Sequence, residues 1–311
     1  MDEDVRGAEA AGRHTATTSG GELAYLDAGD GPAVVLLHGF PTSSHLWRHV
    51  VPEVVRAGMR AIVPDQLGFG ASDKPDGVAL HPRAQAGYVR ELLGVLGIDR
   101  FAVVGHDLGG AVAQLMALEG GAEAIALVDA AAFDAWPIEG VRMIQDAEPE
   151  QETPEFVASI IELALDLGLT NKDVLTREMV EAYVGPFAGD EGAHAFFRAA
   201  RAIDGVGLTG REDDLAALDI PALLVWGEDD PYLGTELADR LVEVLARPSL
   251  VLLPGCAHFT PEEAPDTLAP LLAQFLAANW LGRPVEHHHE GHGHGPAEGP
   301  VMVRLERRGE A

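Results

Sequence analysis

Short apolar runs alternate with amphipathic stretches along most of this chain, and that alternation restricts the fold more than any other feature. "ELAYLDAG" and "AVVLLHGF" read as strands, "SSHLWRHVVPEVVRAG" as a helix, and "RAIVPDQLG" as a strand. "HPRAQAGYVRELLGVLG" is a helix, "RFAVVGHD" a strand, "LGGAVAQLMALEGG" a helix and "AIALVDAA" a strand. The order resumes later with the strand "PALLVWGEDD", the helix "GTELADRLVEVLA", the strand "SLVLLPGCAH" and the helix "TLAPLLAQFLAANWL". Strands buried on both faces and separated by helices form parallel β-α-β units, so the expectation is an α/β fold with helices on both sides of a mostly parallel sheet.

The pattern breaks twice. Residues 134–215 contain helical stretches such as "TPEFVASIIELALDLG" and "EGAHAFFRAARAIDGVG" and no convincing strand. They are read as a helical cap inserted into a core made of residues 20–133 and 216–284. Residues 285–311 begin with the low-complexity run "EHHHEGHGHGPAEGP" and are expected to form a disordered, His-rich tail. Its histidines could ligate a transition metal adventitiously, but no functional metal is assigned. Residues 1–19, acidic and polar, are expected to be flexible.

Charge and cysteine content exclude several classes of function. The formal net charge is −29, and the basic residues include only two lysines, Lys74 and Lys172. Nucleic acid is therefore not an expected partner. Such acidity fits either a salt-rich cytosol or an acidic compositional bias. The single cysteine, Cys256, rules out a disulfide framework within one chain and is read as a small buried residue. No stretch approaches ~20 consecutive apolar residues, and the N-terminus has none of the basic-then-apolar order of a signal peptide. A cytoplasmic location with no membrane partner is expected; the oligomeric state is not readable.

The chemistry concentrates at strand ends. In "VVGHDLGG" a strand turns sharply into a helix at Asp107, and Gly105, Gly109 and Gly110 leave room for so tight a turn. "WGEDDP" ends a later strand with Asp229 and Asp230, and "PGCAHF" ends the next with His258. Nucleophile, acid and histidine thus follow one another along the chain, with Asp230 preferred as the partner that orients His258. Asp129, at the end of "AIALVDAA", is another carboxylate that follows a strand. "HGFP", residues 38–41, ends an early strand and would aim the N–H of Phe40 at the N–H of Leu108 to form an oxyanion hole.

These residues, with "HGFPTSSHLW", "VPDQLGFGASDKP" and "LPGCAHFTPEEAP", resemble the α/β-hydrolase family over about residues 20–284. Within it they resemble the branch with an aspartate nucleophile: epoxide hydrolases, haloalkane dehalogenases and haloacetate dehalogenases. The resemblance implies an α/β-hydrolase fold with an inserted helical cap and a cofactor-independent enzyme needing only water, and, since some dehalogenases carry the acid after the strand that follows the nucleophile helix, it makes Asp129 the alternative acid.

A carboxylate attacking an acyl carbon would form a reactive anhydride, whereas attack on a saturated carbon carrying a halide or an epoxide oxygen gives an alkyl ester. Water activated by His258 would then attack the carbonyl carbon of Asp107, with the oxyanion between Phe40 and Leu108. The helix N-terminus and these N–H groups should favour ionised Asp107.

The resemblance separates the branches by how the leaving group is held. The haloalkane enzymes commonly have a tryptophan after the nucleophile and an asparagine after "HG", where this chain has Leu108 and Phe40. The haloacetate enzymes have arginines after the nucleophile, where it has Leu108 and Ala111. Epoxide hydrolases use cap tyrosines, for which Tyr183 is the candidate, with Tyr232 a second donor; Trp136, the remaining donor that could hold a halide, and His194 both rank below them. The expected function is opening of epoxides to diols, with a small apolar or moderately polar substrate. The alternatives are a haloalkane dehalogenase and, from another class, a small-molecule binding protein on the same fold.

Overall fold

The computed structural model describes residues 12–203, 205, 207–282 and 301–303. The strands are β1 (Arg13–Thr18), β2 (Gly21–Ala28), β3 (Ala33–Leu37), β4 (Arg60–Pro64), β5 (Phe101–Asp107), β6 (Ala122–Ala130), β7 (Ala222–Gly227), β8 (Pro248–Leu253) and β9 (Val301–Val303). They form one sheet in the order β1-β2-β4-β3-β5-β6-β7-β8-β9. β3 through β8 pair in parallel, while β1, β2 and β9 pair antiparallel at the two sides. The central strands β3 and β5 are buried at every position, as expected where helices cover both faces.

Helices α1 (Val51–Arg56), α2 (Pro82–Val95) and α3 (Leu108–Leu118) connect the first parallel strands. The single helix expected over 43–58 is divided: Ser44–Trp47 forms a 3-10 turn, and α1 starts afresh at Val51. Pro52, which has no N–H to donate, sits in the first turn of α1, where none is needed. Between β6 and β7 lie α4 (Glu139–Gln145), α5 (Pro154–Leu167), α6 (Arg177–Val184), α7 (Gly189–Arg201) and α8 (Glu212–Ala216). Thr153 caps α5 and Thr176 caps α6, each accepting a backbone N–H with its hydroxyl. The chain closes through α9 (Thr235–Val244), α10 (Thr260–Glu263) and α11 (Pro265–Trp280).

Two expectations about the ends need correction. Within the stretch 1–19, Arg13–Thr18 forms β1, because the alternating threonines and alanines of "TATT" fit an edge strand paired with β2. Within 285–311, Val301–Val303 pairs with the otherwise open edge of β8. The histidine run lies outside the described residues.

Candidate active site

The parallel strands deliver their carboxyl ends to one rim of the sheet, and the chemistry-bearing residues meet there. Asp107 is the last residue of β5 and has φ +50°, a strained conformation for a side chain other than glycine. The strain is tolerated because its neighbours are packed without gaps. A Cβ on Gly105 would lie 2.3 Å from the Gly109 carbonyl oxygen, and one on Gly109 would lie 2.3 Å from that of Leu37. The turn therefore lifts the Asp107 side chain over the sheet at the N-terminus of α3.

Asp107 Oδ1 accepts the backbone N–H of Phe40 at 2.8 Å, and the carboxylate also accepts the N–H of Leu108. The two donors expected to form an oxyanion hole thus already hold this carboxylate. The other oxygen, Oδ2, faces His258 Nε2 at 3.7 Å. His258 Nδ1–H donates to Asp230 Oδ2 at 2.9 Å, and Asp230 Oδ1 accepts the N–H groups of Tyr232 and Leu233 at 2.8 and 3.1 Å. Of the two carboxylates considered as partners for His258, Asp230 makes the bond. Asp129 instead accepts the N–H of Gly227 at 2.7 Å and the hydroxyl of Thr260 at 2.6 Å, tying β6 to β7 and to α10. Asp229 is exposed.

Burial dominates the electrostatics. It raises the Asp107 pKa to about 6, outweighing the nearby His258 and the two N–H donors. The depressed value expected for a carboxylate at a helix N-terminus is thus reversed, although the group still ionises at neutral pH. Burial also opposes charge on His258, but the contacts with Asp230 and the proximity of Asp107 overcome it and raise its pKa to about 9. Asp129, with Asp230 nearby and little solvent, is pushed well above the usual carboxylate range.

Supporting contacts hold the loop that supplies Phe40. His38 Nε2 accepts the N–H of Gln66 at 3.0 Å and its Nδ1–H donates to the Gly39 carbonyl at 2.9 Å, which fixes a neutral tautomer. Burial lowers its pKa accordingly. His106 Nε2–H donates to the carbonyl of His258 at 2.9 Å, so the residue before Asp107 supports the histidine loop. The sequence reading assigned no role to either histidine, although both lie inside the motifs it quoted.

A cavity of about 390 Å³ extends from Asp107 and His258 outward between α4 and α5. Trp136, Tyr232 and Phe40 are on its wall. Tyr232 packs edge-on against His258, ring centroids 5.1 Å apart, and donates its hydroxyl to the Ala164 carbonyl at 2.8 Å. The Trp136 Nε1–H is buried and has no hydrogen-bond partner among the described residues. Tyr183 is not on the wall: its buried hydroxyl donates to Glu262 Oε1, whose carboxylate is also held by both terminal nitrogens of Arg48 at 2.6 Å. The expectation that Tyr183 faces the leaving group is corrected, because the carboxylate of Glu262 captures its proton donor. His194 bonds Glu152 at 2.8 Å on the exposed side of α7. Among the described residues, the cavity wall carries no ionisable group beyond Asp107, His258 and the Tyr232 phenol.

With this geometry in hand, the sequence and fold can be set beside those of known proteins. Residues 34–271 match the model of the alpha/beta hydrolase family, and the chain belongs to that family. It is 28% identical over 267 residues to haloalkane dehalogenase 2 of Mycobacterium tuberculosis, covering 83% of this chain and 92% of that protein. It is 29% identical over 289 residues to the soluble epoxide hydrolase of Corynebacterium sp. strain C12, covering 85% and 96%. The solved structure of epoxide hydrolase CorEH without ligand superposes with a TM-score of 0.70 at 26% identity, covering 86% of this chain and 98% of that one.

Proposed function

We propose that this chain is a hydrolase that opens apolar epoxides to diols through an alkyl ester on Asp107. The observation that carries the reading is the arrangement at that carboxylate: it is held by the N–H groups of Phe40, on Oδ1, and of Leu108, while Oδ2 faces His258 Nε2. Serine in this position would suit acyl transfer; a carboxylate suits displacement at saturated carbon.

In the first step Asp107 Oδ2 bonds to a ring carbon while the carbon–oxygen bond opposite breaks, its electron pair going to the epoxide oxygen. Tyr232 gives that oxygen its proton by turning its hydroxyl from the Ala164 carbonyl. Burial and the Asp230 charge keep this phenol protonated up to high pH, as a donor must be. Esterification removes the negative charge of Asp107, one of the groups that keep His258 protonated. His258 returns its proton to the Tyr232 phenolate and becomes a neutral base. It then takes a proton from water, whose oxygen adds to the carbonyl carbon of Asp107. The oxyanion forms against Phe40 N–H and Leu108 N–H. Collapse expels the diol oxygen, which takes the proton of the added hydroxyl, and Asp107 leaves the cycle ionised beside a protonated His258.

One observation favours haloalkane dehalogenation as the second reading: Trp136 lines the cavity, and its Nε1–H has no partner among the described residues. Haloacetates are disfavoured, because no arginine or lysine among the described residues lines the cavity to hold a carboxylate. The test is intact-mass spectrometry of His258→Ala after incubation with epoxides and, separately, with haloalkanes. A gain equal to the whole epoxide supports ring opening. An alkyl gain with halide release assigns dehalogenation, and no gain from a folded protein in either series overturns both readings.

A further inference from the structure

Five large apolar side chains are exposed among the described residues, and four of them, Met143, Phe156, Leu163 and Leu167, belong to the mouth of the Asp107 cavity. They come from α4 and α5. Along α5 the spacing is helical: Phe156, Ile160, Leu163 and Leu167 form one stripe, while Val157, Ile161 and Leu165 are buried on another. Helix α5 is therefore apolar on two faces: one is buried, and on the other Phe156 stacks on Phe197 while Leu163 and Leu167 stay more than half exposed. Met143 and Leu163 are 70% and 57% exposed, values hard to reconcile with a surface left to water in a molecule carrying a net charge of −29.

We infer that this stripe is the distal half of the substrate site and holds the hydrocarbon remainder of a long-chain terminal epoxide whose ring lies at Asp107. The inference rests on the proposed function and adds the substrate class to it. Three observations select this occupant. The stripe is continuous with the cavity floored by Asp107, so one elongated molecule can touch both. From Leu167 to Phe156 it runs about 16 Å along α5, the length of an extended alkyl chain and more than a short epoxide can use. The strong negative charge opposes both a second copy of the chain and an anionic membrane as the cover.

Two series of ligands on the full chain test this. Binding of alkane-1,2-diols, from butanediol to dodecanediol, is read by calorimetry, which needs no turnover; kcat/KM is read with the matching terminal epoxides. Each methylene entering the stripe should strengthen binding by between about twofold and about fourfold, and kcat/KM should climb in parallel. The double variant Leu163→Gln, Leu167→Gln should cut the dodecanediol-to-butanediol affinity ratio at least about tenfold, whereas Val95→Gln, an exposed apolar residue on α2 away from the cavity, should leave that ratio intact. A diol series that is flat in length overturns the inference, and if butyl epoxide is still hydrolysed the proposed function stands without it. A rising diol series with no epoxide turned over keeps the elongated ligand and overturns the reaction. If the rim seats a second copy instead, the series is flat and the double variant sediments as a smaller species than the wild type, which also overturns it.

Discussion

Gly39→Ala puts a methyl group into the space that Asp107 occupies. An ideal Cβ at Gly39 would lie 2.4 Å from both Cβ and Oδ1 of Asp107, whereas non-bonded carbon atoms settle at about 3.5–4.0 Å. Something must move by about 1 Å. Gly39 belongs to the same turn as Phe40, so either the carboxylate leaves its two N–H donors or the turn withdraws the Phe40 donor, 2.8 Å away. A displacement of this size in a reacting group costs about 10²-fold, and losing one oxyanion donor costs about 10²–10³-fold. The two half-reactions should not suffer equally. Ring opening needs Asp107 aimed, while ester hydrolysis also needs both donors at the new oxyanion. Rapid-quench measurement of both half-reactions should therefore show ester hydrolysis slowed more than ester formation, with a stability loss of about 1–3 kcal/mol from overpacking. Wild-type rates in both steps for a folded Gly39→Ala protein would refute the assignment of Phe40 N–H to the reacting carboxylate.

Tyr183→Phe should lower stability by about 2 kcal/mol in denaturant titration, the scale of a buried hydrogen bond to a charged group, while turnover persists. Tyr232→Phe should instead slow ester formation by about 10²–10⁴-fold in rapid quench with little change in stability. With Asp107 titrating at about 6, kcat/KM should fall tenfold per unit as pH drops below that value, because the protonated acid is no nucleophile. Asp129 has a raised pKa in the folded protein, so its contribution favours folding most below its unfolded value and is lost as pH rises through the folded one. Asp129→Asn should therefore gain melting temperature relative to wild type at pH 8 more than at pH 4.

Much of this arrangement can be read from the sequence because it sits at strand ends. β5, β7 and β8 are apolar runs whose limits are marked by glycine or charge, so Asp107, Asp230 and His258 are placed on one rim as soon as the strands are parallel. The choice of Asp230 over Asp129 is less legible. Both follow strands, and only the folded loop shows Asp229 turned outward, Asp230 on His258 and Asp129 bonded to Gly227 and Thr260. The cap is least legible. Tyr183 lies on an amphipathic helix, but whether its hydroxyl meets the cavity depends on Glu262 and Arg48, which reach it from distant parts of the chain. Strands β1 and β9 escape notice for another reason: each lies at a sheet edge, and β9 is only three residues long.

The most direct measurement is a single turnover of wild-type protein with a terminal epoxide in water enriched in oxygen-18. If Asp107 forms the ester and water attacks its carbonyl carbon, the first diol released carries no heavy oxygen, and the label appears in the peptide containing Asp107. Heavy oxygen in the first diol, with Asp107 unlabelled, would mean that water attacks the epoxide directly and would contradict the covalent role assigned to this carboxylate.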